Sequence, residues 1–229
     1  MLVTTRWSHH PGKRHADEQR SATAAAVAPG TVLAWGANDS GQLGNGTTNT
    51  SRTPLQVPRL TGVTAAVAGA AGAAGWSMAL LSNGTVRAWG FNTDGQLGDG
   101  TTGDPPLSPI EVQGLAGVTA VAAGQAFSLA LLADGTVRAW GAGPLGDGTT
   151  NGSSLPVRVP GLTGVTAVAA GRFYGPALLS DGTVRAWGEN FSGNLGDSTT
   201  VNRTSPVRVR NLTGVIGVSG GALHSLAVQ

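Results

Sequence analysis

Gly117-Val118-Thr119-Ala120-Val121-Ala122-Ala123-Gly124-Gln125-Ala126-Phe127-Ser128-Leu129-Ala130-Leu131-Leu132-Ala133-Asp134-Gly135-Thr136-Val137-Arg138-Ala139-Trp140 decides the fold. Val118–Ala122 and Phe127–Leu132 are two runs rich in β-branched and apolar residues, and Asp134-Gly135 turns the chain into a third, Thr136–Trp140. Asp-Gly between such runs is a strong hairpin signal, because glycine tolerates the positive φ that a tight turn demands. Asn83-Gly84 and Asp181-Gly182 repeat the device, and Pro29-Gly30 holds the same place further upstream. A fourth strand follows as Pro-x-x-Val, seen in Pro156–Val159 and Pro206–Val209. Proline at its start suits an edge strand that need not donate every backbone hydrogen bond.

Working outward, the whole pattern recurs. Trp-Gly pairs stand at Trp35, Trp89, Trp140 and Trp187, separated by 54, 51 and 47 residues. Each is followed by a Leu-Gly, a proline, spaced Val/Leu positions and an aromatic or histidine. The first unit carries an Ala/Gly insertion near Gly69–Gly75, and the third is three residues short between Trp140 and Leu145. Self-similarity at this period defines a repeat architecture. Four strands in about 50 residues fit a blade of a β-propeller better than a solenoid coil, and the density of Gly, Pro and β-branched residues excludes helical repeats. The expected fold is therefore all-β, with four repeats of four antiparallel strands, in residues 29–229. Residues 1–28 form a separate polar tail, read as a disordered leader. Its Ala-rich end (Ala22–Ala28) resembles the finish of a secretory signal but lacks a strong apolar run before it.

Charge excludes one class of partner. The tail carries a net +2, whereas residues 29–229 hold ten Arg against ten Asp or Glu. A neutral repeat body has no long-range attraction for phosphates, so no nucleic acid is expected. No apolar run approaches the roughly 20 residues needed to cross a bilayer, so no membrane is expected either. Absence of cysteine removes disulfides and thiolate metal sites, and leaves the compartment open, with export favoured over the cytosol.

Ala123-Gly124-Gln125-Ala126-Phe127-Ser128-Leu129-Ala130-Leu131, Gly221-Ala222-Leu223-His224-Ser225-Leu226-Ala227-Val228 and Ala88-Trp89-Gly90-Phe91-Asn92-Thr93-Asp94-Gly95-Gln96-Leu97-Gly98 resemble the signature of the regulator of chromosome condensation repeat family. The resemblance covers residues 30–229 and implies a propeller, in this family usually of seven blades. A bacterial branch with the same blade includes a secreted inhibitor of β-lactamases. Two departures stand out. Only His224 keeps the family's histidine, its counterparts being Trp76, Phe127 and Tyr174, and there are four units rather than seven. Blades shaped for a sevenfold ring meet at about 50°, whereas a fourfold ring needs about 90°, so an open arc is expected. Each bare end would expose on the order of 400 Å² of apolar surface, worth up to about 10 kcal/mol. Such ends imply self-association, a missing piece of chain, or aggregation.

The candidate site is sought among residues that depart from the repeat, because repeat proteins fold with shared positions and bind with deviant ones. The recurring tryptophans are assigned to packing between blades. Arg87, Arg138 and Arg185 are assigned to stacking on rings or pairing with turn carboxylates. The Asn/Asp/Gly loops, such as Asn92–Gly100, lack a calcium register and a closing Glu, so no metal is expected, and their Asn and Gly are ascribed to left-handed turns. No catalytic constellation and no cofactor motif is present, so an enzyme is not expected. What remains is Asp39, Phe91, Glu189 and Phe191 in the loops after Trp-Gly, and Arg172 and Phe173 before the aromatic column. Exposed Phe beside charge is a protein-contact anchor. The leading reading is a non-enzymatic protein-binding scaffold. Guanine-nucleotide exchange on a small GTPase, or enzyme inhibition of the β-lactamase-inhibitor kind, are the alternatives that the resemblance implies.

Overall fold

A computed structural model describes residues 30–71 and 74–229, and the tail lies outside them. Sixteen strands and no helix are found among the described residues. They form five sheets. A first half-blade pairs β1 (Leu33–Gly36) with β2 (Ser51–Gln56). Three complete blades follow: β3 (Val63–Ala71), β4 (Ala74–Leu81), β5 (Val86–Gly90) and β6 (Ile110–Glu111); β7 (Val118–Ala123), β8 (Phe127–Leu132), β9 (Val137–Gly141) and β10 (Ser153–Val159); then β11 (Val165–Val168), β12 (Tyr174–Leu179), β13 (Val184–Gly188) and β14 (Arg203–Arg208). Each complete blade is an antiparallel meander in chain order. A last half-blade pairs β15 (Gly217–Gly220) with β16 (Ser225–Val228). The four sequence repeats thus emerge as three whole blades flanked by two halves, in an arc whose end sheets stay separate. The Ala/Gly insertion near Gly69 lengthens β3 and β4 to nine and eight residues.

The second strand of each blade is sandwiched between neighbours, which is why Phe127–Leu131 is buried on both faces and reads as an unbroken apolar run. The hairpin turns work as the sequence predicts. Gly84, Gly135 and Gly182 take positive φ. Asp134 accepts the Thr136 N–H at 2.9 Å and its hydroxyl at 2.7 Å, and Asn83 and Asp181 do the same for Thr85 and Thr183. Three of the four turns also reach the next sheet. Gly30, Gly84 and Gly182 carbonyls accept the N–H of Val63, Val118 and Val215, the first residues after each crossing.

Blades are joined mainly by tryptophan. Trp89, Trp140 and Trp187 are fully buried, and each ring lies on the glycine of the preceding Leu-Gly turn: Gly44, Gly98 and Gly146. The Trp89 indole N–H donates to the Gln42 carbonyl at 2.9 Å, and Ser77 Oγ donates to the same oxygen at 2.8 Å. Trp140 and Ser128 share the Gln96 carbonyl in the same way, at 2.8 and 2.7 Å. The third junction breaks the rule. The loop that would offer the accepting carbonyl is the one three residues short, Gly175 replaces the serine, and the buried Trp187 Nε1 has no partner. A Cβ at Gly175 would stand 2.8 Å from Leu129 Cδ1, 3.1 Å from the Trp187 ring and 3.2 Å from the Phe127 ring, so these three side chains fill the space a serine would need.

Trp140→Phe removes a satisfied donor, whereas Trp187→Phe removes an unsatisfied one. The first should cost about 1–3 kcal/mol more than the second, read from urea midpoints at constant m-value. Equal losses would show that the shared carbonyl adds nothing to stability.

A candidate protein-binding face

In a four-strand meander the connections from strand one to two and from three to four lie at the same end of the sheet. All six residues singled out in the sequence occupy these connections, so the topology gathers them on one face of the arc. They do not form one cluster. Arg172 and Phe173 (β11–β12 connection) meet Glu189 (β13–β14 connection): the Glu189 N–H donates to the Phe173 carbonyl at 2.9 Å, and the Arg172 guanidinium lies 5.1 Å from the Phe173 ring centre. Burial pushes the Glu189 carboxyl above its ordinary range, and the Arg172 charge pulls it back down. Phe191, two residues further along the same loop, is 69% exposed. Asp39 is exposed on the first half-blade, away from this group in sequence and blade. Phe91 departs from the expectation of an exposed anchor. It is half-buried and packs against the cluster of Trp76, Leu97 and Trp140.

The loops owe their rigidity to a residue the sequence reading ascribed to turn conformation. Asn38, Asn92 and Asn190 are fully buried and none has positive φ. Asn190 Oδ1 accepts the Leu195 N–H at 2.9 Å, while Nδ2 donates to the Asp197 carboxylate, the Thr199 carbonyl and the Val201 carbonyl. Asn38 and Asn92 hold their loops through the equivalent Leu43 and Leu97 N–H groups. The signal was available, since Trp-Gly-x-Asn recurs in three of four units and fails only in the shortened one. Asp197 adds a second tie. Burial disfavours its charge, but the Thr199 hydroxyl and the Arg203 guanidinium at 2.6 Å outweigh it and hold the carboxyl at about 2.

The strand arginines do not behave as expected. Arg87 pairs with Glu111 on the neighbouring strand at 3.0 Å, not with a turn. Arg138 and Arg185 stand directly opposite Arg158 and Arg208, and their Nε atoms have no partner. The Asp134 and Asp181 carboxyls lie below their ordinary range, mainly through the Thr136 and Thr183 hydroxyls. No group of three or more potential metal ligands occurs among the described residues.

Fold and face together define a β-propeller arc with a rigid loop surface. Models of the Regulator of chromosome condensation (RCC1) repeat match residues 29–80, 83–131 and 181–228, and a second model of that repeat matches 68–96, 118–146 and 165–194. The chain belongs to the RCC1 repeat family. Among curated relatives it is 37% identical to the human E3 ubiquitin-protein ligase HERC2 over 126 residues, covering 53% of this chain and 2% of HERC2. It is 35% identical to the ultraviolet-B receptor UVR8 of Arabidopsis thaliana over 118 residues, covering 51% of this chain and 26% of UVR8. Human WBSCR16 superposes with a TM-score of 0.77 at 26% identity, over 87% of this chain and 53% of that one. Prp20p of Saccharomyces cerevisiae superposes with a TM-score of 0.73 at 22% identity, over 86% and 51%. The chain therefore spans about half the length of these solved propellers and a smaller share of the curated relatives.

Asp197→Asn should lower the melting temperature at neutral pH. Because the folded carboxyl lies below its unfolded value, its contribution is complete above about pH 4 and lost as pH falls through about 2. Melting curves of both proteins should accordingly converge as the solution is acidified. A gap that persists at low pH would show that ionisation of Asp197 is not the source.

Proposed function

We propose that the chain is a non-enzymatic protein-binding module, and that it grips its partner through Arg172, Phe173, Glu189 and Phe191. The observation that carries this reading is Phe191, a large apolar ring left 69% exposed on an otherwise hydrogen-bonded loop. Next to it lie a cation held over a second ring and a carboxylate within reach of that cation's charge. Aromatic residues and Arg dominate the energetics of protein interfaces. Rigidity supports the reading as well, because the Asn190 and Asp197 ties fix the loop before any partner arrives and reduce the entropy lost on binding. Prp20p, which shares the fold, is described with binding properties toward Gsp1p and histones, and yeast RCC1 has been seen bound to Kap60.

The experiment is affinity capture on the immobilised chain, with Phe191→Ala and Arg172→Ala compared against the native sequence. Each truncation should weaken retention of a captured protein by about 30-fold, the scale of an interface anchor. Both side chains are exposed, so melting temperatures should move by no more than the scatter for surface substitutions. Identical sets of captured proteins on native and variant surfaces would overturn the assignment.

A further inference from the structure

At each junction between complete blades a tryptophan occupies a socket made of the Leu-Gly turn of one blade and the second strand of the next. A socket of the same build exists at the carboxyl end, and it is unfilled. Asn194 O accepts the Ser225 hydroxyl at 2.8 Å, as Gln42 O accepts Ser77 and Gln96 O accepts Ser128, but no indole completes the pair. Gly196 stands where Gly44, Gly98 and Gly146 each carry a tryptophan ring; it keeps the valine contact that Gly98 makes with Val112, here with Val209, but no ring lies on it. A cavity of about 450 Å³ opens there, lined by Asn194, Gly196, Val209, Leu223, Ser225 and Leu226. Leu223, Leu226 and Val228 are exposed by 48, 62 and 58%. At the other end of the arc Trp35 is the one recurring tryptophan without a socket, 62% exposed beside Leu33. Among the described residues β16 has no third strand and β1 has no second.

We propose that this cavity seats Trp35 of a second copy, so that two arcs close head to tail into one ring. The register is fixed by the three complete blades. Ser77, Ser128 and Gly175 stand opposite Trp89, Trp140 and Trp187, and the following residues face the alanine before each tryptophan. Carried to the junction, Ser225 faces the second copy's Trp35, Leu226 faces its Ala34 and Val228 faces its Val32. The four strands β15, β16, β1 and β2 then make one complete blade from two chains. Asn194 O gains its second donor.

The occupant is a second copy rather than the chain's own β1, for two reasons. The arc matches about half of a solved propeller, 53% of WBSCR16 and 51% of Prp20p, so its ends lie on opposite sides of a ring. Closure on itself would also require about 90° between blades, whereas two arcs of four need about 45°, close to the usual range. A twofold axis along the ring makes both junctions identical, which is how a head-to-tail contact closes instead of forming a filament. With on the order of 400 Å² at each of four ends, the contact reaches about 1,600 Å², the size of a stable interface.

Sedimentation of the native chain at micromolar concentration should give twice the chain mass. Trp35→Ala and Leu226→Arg should each sediment as monomers, with an association weakened at least about 30-fold, and an unchanged circular dichroism spectrum. Mixed one to one, they should recover a dimer, because one junction remains sound. The chain has no cysteine, so Ala34→Cys with Leu226→Cys in one chain tests the register directly: oxidation should link two chains, since opposed strand residues lie within disulfide reach. A monomeric native chain, a bridge formed within one chain, or filaments that grow without limit would each overturn the proposal. None of these variants touches Phe191 or Arg172, so failure here leaves the capture experiment unaffected.

Discussion

One backbone carbonyl governs how blades meet. Gln42 O and Gln96 O each accept two donors from the following blade, a serine hydroxyl and an indole N–H. Apolar burial supplies most of the adhesion, since a tryptophan ring removes far more surface from water than one hydrogen bond returns, about 1 kcal/mol net. Burial is nevertheless non-directional. Two sheets with apolar faces would slide or rotate without loss if nothing polar pinned them. The doubly used carbonyl pins them at one point, and the turn glycine beneath the ring sets how closely they approach. Adding a Cβ to Gly44 would place it 2.6 Å from the Trp89 nitrogen, so the Leu-Gly turn and the tryptophan are one device written in two distant places.

Much of this was legible because repetition separates structure from decoration. The third-strand Trp-Gly, the Asp-Gly turn and the edge proline each return on schedule, and each falls where its physical chemistry places it. The first three strands of a blade came out to within two residues, whereas the fourth begins three residues earlier than its proline suggested, at Ser153 and Arg203. What the pattern could not show was the purpose of a polar residue that returns equally often. Asn in Trp-Gly-x-Asn was ascribed to left-handed turns, because Asn is common there. Its side chain is in fact buried, and it replaces backbone partners that an irregular loop lacks. The arginines failed for a different reason. Arg87, Arg138 and Arg185 share one cross-strand register, and only the facing residue differs, Glu111 in one blade and Arg158 and Arg208 in the others. The sequence reading sought their partners in turns and rings rather than on the fourth strand.

The candidate face shows the same limit on a finer scale. Phe91 and Phe191 both sit in polar loops after Trp-Gly, and composition treats them alike. Offset separates them. Phe91 is two residues past its tryptophan and turns onto the core beside Leu97, whereas Phe191 is four past. The residues at that second offset, Asp39 and Thr93, are exposed too, so the position points outward whatever it carries. A phenylalanine there costs solubility and packs against nothing in the core, unlike Phe91, which is why the proposed contact rests on Phe191 and not on Phe91.

Strand edges complete the physical picture. Natural sheets blunt their free edges with proline and charge, because a bare edge recruits other strands. The outer strands of this arc follow that practice: β2 carries Arg52 and Pro54, β10 carries Pro156 and Arg158, and β14 carries Arg203, Pro206 and Arg208. The two terminal edges do not. β1 reads Leu-Ala-Trp-Gly and β16 reads Ser-Leu-Ala-Val, without proline or charge. β16 resembles the Ser-Leu-Ala-Leu of β8, and β1 shares Ala-Trp-Gly with β5 and β9, with Leu33 where those carry Arg87 and Arg138. β5, β8 and β9 lie inside sheets with a neighbour on either side. The inner edges β3, β7 and β11 also lack proline and charge, but each lies against the inner strand of a neighbouring blade, a cover that the free sides of β1 and β16 do not have among the described residues. The rim strands are built to end a sheet, and the terminal strands are built to continue one.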